Sequence, residues 1–258
     1  MSDRPDARGP DARRAYDVST YGERIADVYD QWPRLPQNAE RAVEFLASVA
    51  GRGPILELGI GTGRLALPLL ERGFAMHGID ASPAMVARLR AKPGGDRVTI
   101  AMGDFADMTI AGRFSLIFVA FNTFFGLLAQ EDQVRCFKGI AEHLSGGGLF
   151  VLEAFVPDLS RFTHGQRLGV TDIGTESVHL EASVHDPVAQ RVRSHHVVVT
   201  EDGVKLYPVE VRYAWPSELD LMARLAGLRL RERWGGWSRE PFGASSGTHV
   251  SVYEKGMP

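Results

Sequence analysis

From residue 38 onward, short apolar runs alternate with segments whose apolar residues recur at helical spacing. "NAERAVEFLASVA" predicts a helix leading into the strand "PILEL", and after the glycines of "GIGTG" a second helix runs through "RLALPLLERG". "FAMHGID" is the next predicted strand, followed by the helix "SPAMVARLRA" with Ser82 as N-cap and Pro83 in its first turn. "RVTIAMGD" and "FSLIFVAF" read as further strands, and "QEDQVRCFKGIAEHL" with "GGLFVLEAF" as one more helix and strand. This alternation predicts an α/β fold on a parallel, doubly wound sheet over residues 38–156. Pro68 falls inside the helix after the glycines, where it would remove a hydrogen bond, so a kink or a later helix start is expected.

After Pro157 the period changes. "ESVHLEASVHD" and "QRVRSHHVVVT" alternate apolar and polar residues, and the turn Glu201-Asp202-Gly203 leads into "VKLYPVEVRYAW". Such alternation joined by tight turns predicts an antiparallel β layer inserted at residues 157–215. Over residues 216–258, Pro216 opens the helix "SELDLMARLAGL", Gly227 stops it, and "RLRERWGG" with "THVSVYEK" closes the core as a pair of strands. Residues 1–37 make the remaining unit: "MSDRPDARGPDARRA" has the polar composition of a disordered tail and no apolar stretch of the kind a signal peptide needs. "STYGERIADVYDQWP" follows it with Tyr21, Tyr29 and Trp32.

The chain has 258 residues, 44% hydrophobic and 24% charged, enough for one full core with an accessory element. Lys+Arg 29 against Asp+Glu 32 leaves a net charge of -3, which gives no electrostatic reason to expect nucleic acid as a partner. The most apolar run, Phe114 to Leu128, is shorter than the roughly 20 residues of a membrane-spanning helix and is interrupted by Asn122 and Gly126. Cys136 is the single cysteine, so no internal disulfide can form, and a reducing, cytoplasmic setting is expected.

A strand that passes through glycines into a helix presents backbone N–H groups and a positive dipole end at its carboxyl edge, where doubly wound sheets bind ligands. NAD and S-adenosylmethionine are both served by that arrangement. The dinucleotide fingerprint G-x-G-x-x-G needs a glycine where Arg64 stands, whereas this chain reads Glu57-x-Gly59-x-Gly61-x-Gly63. A carboxylate two residues before the first glycine is poorly placed beside a pyrophosphate and suits a ligand carrying an ammonium and a sulfonium.

"ELGIGTG" resembles the E-x-G-x-G-x-G signature of class I S-adenosylmethionine-dependent methyltransferases, whose core is a Rossmann-like sheet. Two further stations, "HGIDASPAM" and "AMGDFAD", stand in the family's order. The resemblance implies S-adenosyl-L-methionine as cofactor, its methionine part on Glu57, Gly59, Gly61 and Gly63. Asp80, with Ala81 after it, would grip the ribose hydroxyls; Asp104 would face the adenine amino group and Phe105 line the ring. The acceptor of that family meets the methyl group near the end of the fourth strand, which makes Phe121, Asn122 and Phe124 candidate substrate residues; Phe121, Phe124 and Phe125 equally read as core. Asn122-Thr123-Phe124-Phe125 is similar to the N-P-P-F motif of nucleic-acid amino-methyltransferases but lacks both prolines.

Small-molecule members fold an N-terminal segment over the cofactor, which would bring Tyr21 or Tyr29 to the methionine carboxylate; an amphipathic helix packed on the sheet is the alternative. The inserted layer resembles that of small-molecule methyltransferases of bacterial secondary metabolism, including those that N-methylate aminosugars. There the insert covers the substrate, and it can also pair two subunits as a homodimer.

Methyl transfer from a sulfonium is an in-line displacement, which asks for alignment, exclusion of water and, for a hydroxyl or ammonium, a base. The candidates are His195, His196 and Glu153. With the hairpin turn centred near Val188, His195 is expected opposite Glu181. Adjacent His195 and His196 face opposite sides of a strand, and with His179 and His185 they have no compact ligand spacing, so no metal is expected. A solvated sheet face is the plain reading of all four. Glu153 either reaches the cleft or lies under the final strand. The expected function is methyl transfer to N or O of a small molecule, with a nicotinamide-dependent oxidoreductase and a non-catalytic S-adenosylmethionine-binding regulator as rivals.

Overall fold

In a computed structural model of the chain, residues 16–32 and 38–256 are described; the tail expected over residues 1–15 lies outside them. The strands in chain order are β1 (Ile55–Leu58), β2 (Met76–Asp80), β3 (Thr99–Met102), β4 (Phe114–Val119), β5 (Leu144–Phe155), β6 (Gln166–Ile173), β7 (Ser177–Asp186), β8 (Arg191–Thr200), β9 (Gly203–Arg212), β10 (Leu228–Trp234) and β11 (Thr248–Lys255). The α-helices are α1 (Thr20–Ile25), α2 (Ala39–Val49), α3 (Ala66–Glu71), α4 (Pro83–Arg90), α5 (Gln130–His143) and α6 (Pro216–Leu225).

Seven strands form one sheet in the order β10-β11-β5-β4-β1-β2-β3, with β1 to β5 parallel and β11 antiparallel to both of its neighbours. β1 is central and all four of its residues are buried, as a strand covered by helices on both faces requires. Phe124, Phe137, Phe150 and Tyr253 fill the core on one face, and Phe45, Leu46, Leu69 and Trp237 on the other. α3 starts at Ala66, so Pro68 stands in its first turn, where proline is tolerated, in line with a later helix start. Ser82 caps α4 by accepting the Met85 N–H at 3.2 Å, and Gly227 stops α6 at φ 76°. Cys136 is buried in α5, and burial pushes its thiol up. Among the described residues no helix is long and apolar enough to cross a membrane.

The insert is an antiparallel sheet in the order β6-β7-β8-β9. Its inner face meets the core through Val192 and Val211. Arg212, at the end of β9, fixes the insert to two helices: its guanidinium donates to Gln133 Oε1 at 2.7 Å and pairs with Glu218 at 2.8 Å, while Gln133 returns a bond to the Arg212 carbonyl at 2.9 Å. The pairing corrects one expectation. Glu181 stands opposite His196, and His195 opposite Ala182, because the hairpin is centred half a residue later than Val188.

Candidate active site

After β1 the chain turns through Gly59, Gly61 and Gly63 at φ 69°, 56° and 80°, left-handed values that other residues adopt only with strain. A Cβ on Gly59 would stand 2.4 Å from Thr123 Cγ2, so the loop is pressed against the end of β4; above Gly61 nothing lies within 4 Å. That leaves an open concave face of backbone at the carboxyl edge of the sheet. Asp80 ties this loop to the next one, its Oδ2 accepting the Gly61 N–H at 2.7 Å and its Oδ1 the Ser82 N–H at 2.8 Å. Burial raises the Asp80 carboxyl, and the N–H groups of Ser82, Gly61 and Ala81 pull it back. Asp104 accepts the Ala106 N–H at 2.8 Å and is likewise raised by burial, and the Phe105 ring lies beside Gly59.

Glu57 is buried beneath the loop, and its Oε2 has no hydrogen-bond partner. Desolvation pushes its carboxyl well above the ordinary range, against the pull of the Arg64 guanidinium. Arg64 itself lies over the Phe121 ring, 3.8 Å from its centroid, with Tyr29 at 5.8 Å. Its Nε and Nη1 are shielded from solvent and bonded to nothing.

The N-terminal segment lies over both loops. Glu23 Oε1 accepts the Ser82 hydroxyl at 2.6 Å and the Ala84 N–H at 2.9 Å; Asp30 accepts the Thr62 hydroxyl at 2.6 Å and pairs with Lys92 at 2.7 Å; Asp27 pairs with Arg88. Gly22 permits the close approach, since a Cβ there would stand 2.5 Å from Ser82 Cβ. On its other side the segment packs on the insert, where Trp32 meets His179, His196 and Tyr207 edge-on at 5.8, 5.9 and 5.0 Å. The segment thus bridges the two loops and the insert. Burial raises the phenols of Tyr21 and Tyr29.

Between the carboxyl ends of β4 and β5 and the inner face of the insert lies a cavity of about 570 Å³. Tyr21, Phe105, Phe121, Asn122 and Phe155 line one side of it, and Glu181, Ser194, His196, Val211 and Tyr213 the other. A wider groove of about 1680 Å³ opens beside it, lined by Arg161, Arg167, Arg193 and His195 among others, and shares Tyr16, Arg161, Ser194, Val209 and Glu210 with the cavity. His195 and His196 thus separate as neighbours on a strand must.

Two candidates, Phe124 and Glu153, do not line the cavity. Phe124 is fully buried against Phe137 at 5.3 Å, because the turn after β4 directs it into the core, so it does not line the cavity. Glu153 pairs with Val250 of β11 within the sheet, and its carboxylate accepts the backbone N–H of Phe121; it is not among the residues that line the cavity. Burial raises it to about 7. Asn122 does line the cavity, but its Oδ1 accepts the Phe155 N–H at 2.6 Å, which occupies it in holding the loop. Glu23 and Asp30, which no sequence motif marks, join the N-terminal segment to these loops, and Arg64, which stands where the dinucleotide fingerprint has a glycine, sets its charge near the buried Glu57 and Glu153. Among the described residues no three His, Cys, Asp or Glu side chains converge as metal ligands.

Residues 55–148 match the family model described as a methyltransferase domain. The fold and sequence are similar to the CcbJ methyltransferase from Streptomyces caelestis at 44% identity and a TM-score of 0.90, over 94% of this chain and 100% of that one. The cypemycin N-terminal methyltransferase of a Streptomyces species is 29% identical over 243 residues, 93% of this chain and 99% of the relative. CalS10, an amino pentose methyltransferase from Micromonospora echinaspora solved with S-adenosylmethionine bound, shares the fold at 19% identity and a TM-score of 0.66, over 88% of this chain and 94% of that one.

Proposed function

This chain belongs to the class I S-adenosylmethionine-dependent methyltransferases, and from that premise we propose that it methylates a nitrogen of a small molecule held in the cavity between its two sheets. S-adenosylmethionine, the cofactor, supplies when bound an electrophilic methyl group on a sulfonium. The residues around the glycine loop fit it: the face above Gly61 is open, and Glu57 Oε2 is a buried acceptor without a donor, suited to an ammonium. Gly59, Gly61, Gly63 and Glu57 would hold the methionine part. Asp80 and Ala81 would hold the ribose, and Asp104 and Phe105 the adenine edge. Tyr21 and Tyr29 close that side.

The observation that carries the reading is the cavity itself. It begins at Phe105 and Phe121, beside the glycine loop, and ends on Glu181, Ser194 and His196 of the insert. Its volume suits a small ligand, and its aromatic walls exclude water from the reacting atoms. Glu181, already paired with Arg167 at 3.2 Å and accepting the Ser183 hydroxyl at 3.0 Å, sets a carboxylate at the cavity wall, and a ring nitrogen of His196 accepts the proton the amine must lose. Tyr21, whose phenol burial raises, remains protonated, and Glu153 is turned away toward the Phe121 backbone. The cypemycin relative, named as an N-terminal methyltransferase, supports nitrogen as the target.

With methyl-labelled S-adenosylmethionine, amines of cavity size should take up label and their hydroxyl counterparts should not. His196→Ala should lower turnover by about tenfold to ten-thousandfold, the range for general acid–base groups, while His195→Ala stays near wild type. Label on hydroxyl acceptors alone, or equal losses in the two variants, would overturn the reading.

A further inference from the structure

The cavity has a second polar end. Glu181 and His196, opposite each other on β7 and β8, mark the first; Val192, four residues before His196 and about 13 Å from it along the strand, lines the cavity at the other. Opposite Val192 stands His185, whose Nε2 lies 2.9 Å from the hydroxyl of Tyr213. Phe162 stacks on the same imidazole at 4.8 Å. Tyr213 and Phe162 both line the cavity and His185 does not, so the imidazole stands behind the wall and meets it through these two rings. Val192, Val211 and Phe162 offer no polar side-chain atom, which leaves the Tyr213 hydroxyl to supply one here.

Tyr213 is 2% exposed, and among the described residues its hydroxyl is hydrogen-bonded to His185 alone. A buried phenol is satisfied by donating its proton, so Nε2 accepts and the imidazole carries its own proton on Nδ1. The reverse, Nε2 donating to the phenol oxygen, would leave the Tyr213 proton without an acceptor. With its proton committed in this way, the phenol oxygen has lone pairs left and nothing to donate. Donation to the imidazole also polarises the phenol and makes its oxygen the better acceptor. We propose that Tyr213 accepts a hydrogen bond from the methyl-acceptor molecule at the end of the cavity away from Glu181 and His196, and so selects for it. This rests on the reading that the cavity holds the amine, and adds a requirement: the molecule carries a second donor, a hydroxyl or an N–H, separated from the reacting amine by most of the cavity length. His185 does not touch that molecule; it fixes where the phenol hydrogen points and is a positioning residue for Tyr213.

Labelled methyl transfer to ω-amino alcohols of graded length provides the test. Each is compared with its isomeric methyl ether, whose oxygen can only accept, and with the alkylamine of equal length, whose end can do neither. At the length that spans the cavity the wild type should favour the alcohol over both by about tenfold in kcat/KM, the worth of one neutral hydrogen bond, mostly through KM. Tyr213→Phe should remove the preference and leave the alkylamine as it was. His185→Phe keeps a ring against Phe162 but frees the phenol proton to point into the cavity, so the ether should rise to the level of the alcohol. His185→Gln, whose carbonyl can take that proton, should restore the wild-type order. A wild-type preference for the ether would overturn the proposal. Equal changes for all three acceptors in the variants would also overturn it, by making the pair a brace of the insert. If amines take up label and the terminal group matters at no length, this proposal alone fails; if no amine of any length takes up label, the reading of the cavity as an amine site fails and this proposal with it.

Discussion

Replacing Glu153 by glutamine tests how the end of β4 is held. Phe121 and Asn122 are consecutive non-glycine residues at φ 56° and 66°, a strained pair that persists only if its surroundings fix it. Glu153 is 7% exposed and accepts the Phe121 N–H, and burial lifts its carboxyl from 4.5 to about 7 against the pull of that N–H, of Arg64 and of the Asn122 N–H. The folded chain therefore holds this proton more tightly than the unfolded chain does. The stabilisation is fully present below the unfolded value near 4.5 and is lost as pH rises through about 7. At about 1.36 kcal/mol per pH unit the full loss is about 3 kcal/mol, a large fraction of the stability of an ordinary domain. A glutamine carbonyl can accept the same N–H and carries no charge to bury. Urea unfolding followed by tryptophan fluorescence should then show Glu153→Gln gaining on the wild type by about 2 to 3 kcal/mol between pH 5 and pH 8. Titrations elsewhere cancel in the difference between the two proteins. An offset that is the same at both pH values would refute the reasoning.

Asp80→Ala should weaken S-adenosylmethionine by about a hundredfold in calorimetric titration and Asp104→Ala by about tenfold or less, since Asp80 also supports the Gly61 and Ser82 N–H groups; equal losses would show the cofactor misplaced. Gly59→Ala should lower the melting temperature of the ligand-free protein strongly, at a cost of roughly 2–4 kcal/mol for a methyl 2.4 Å from Thr123 Cγ2 in a left-handed turn. Gly61→Ala, with nothing within 4 Å, should cost roughly 1 kcal/mol of stability and far more in cofactor affinity, because its methyl stands on the open face of the loop. Similar stability losses in both glycine variants would contradict the loop geometry.

The half of the site expected to hold the cofactor was legible because each of its parts is a contiguous stretch: a buried apolar strand ends, and the next few residues carry the chemistry. Ser82 and Pro83 marked the start of α4 for the same local reason. β6 was missed because it is an edge strand whose apolar residues face outward; Leu168 is 74% and Val170 58% exposed, so its alternation puts apolar side chains on the solvent side, the reverse of the usual strand signal. Its pairing with β7 makes it a strand. The acceptor side depends on contacts that no local pattern records, such as Glu153 reaching Phe121 across 32 residues, or Glu23 reaching Ser82 across 59. Register is the sharpest case. Asp186 pairs with Arg191 across the hairpin, which brings His196 to Glu181 and to the cavity; a turn centred at Val188 brings His195 there instead. Strand periodicity of two converts that half-residue difference in the centre into the opposite face of the sheet. A single-residue insertion in the 187–190 turn would therefore shift which β8 residues oppose Glu181 and line the cavity without altering any motif by which the cofactor side is recognised.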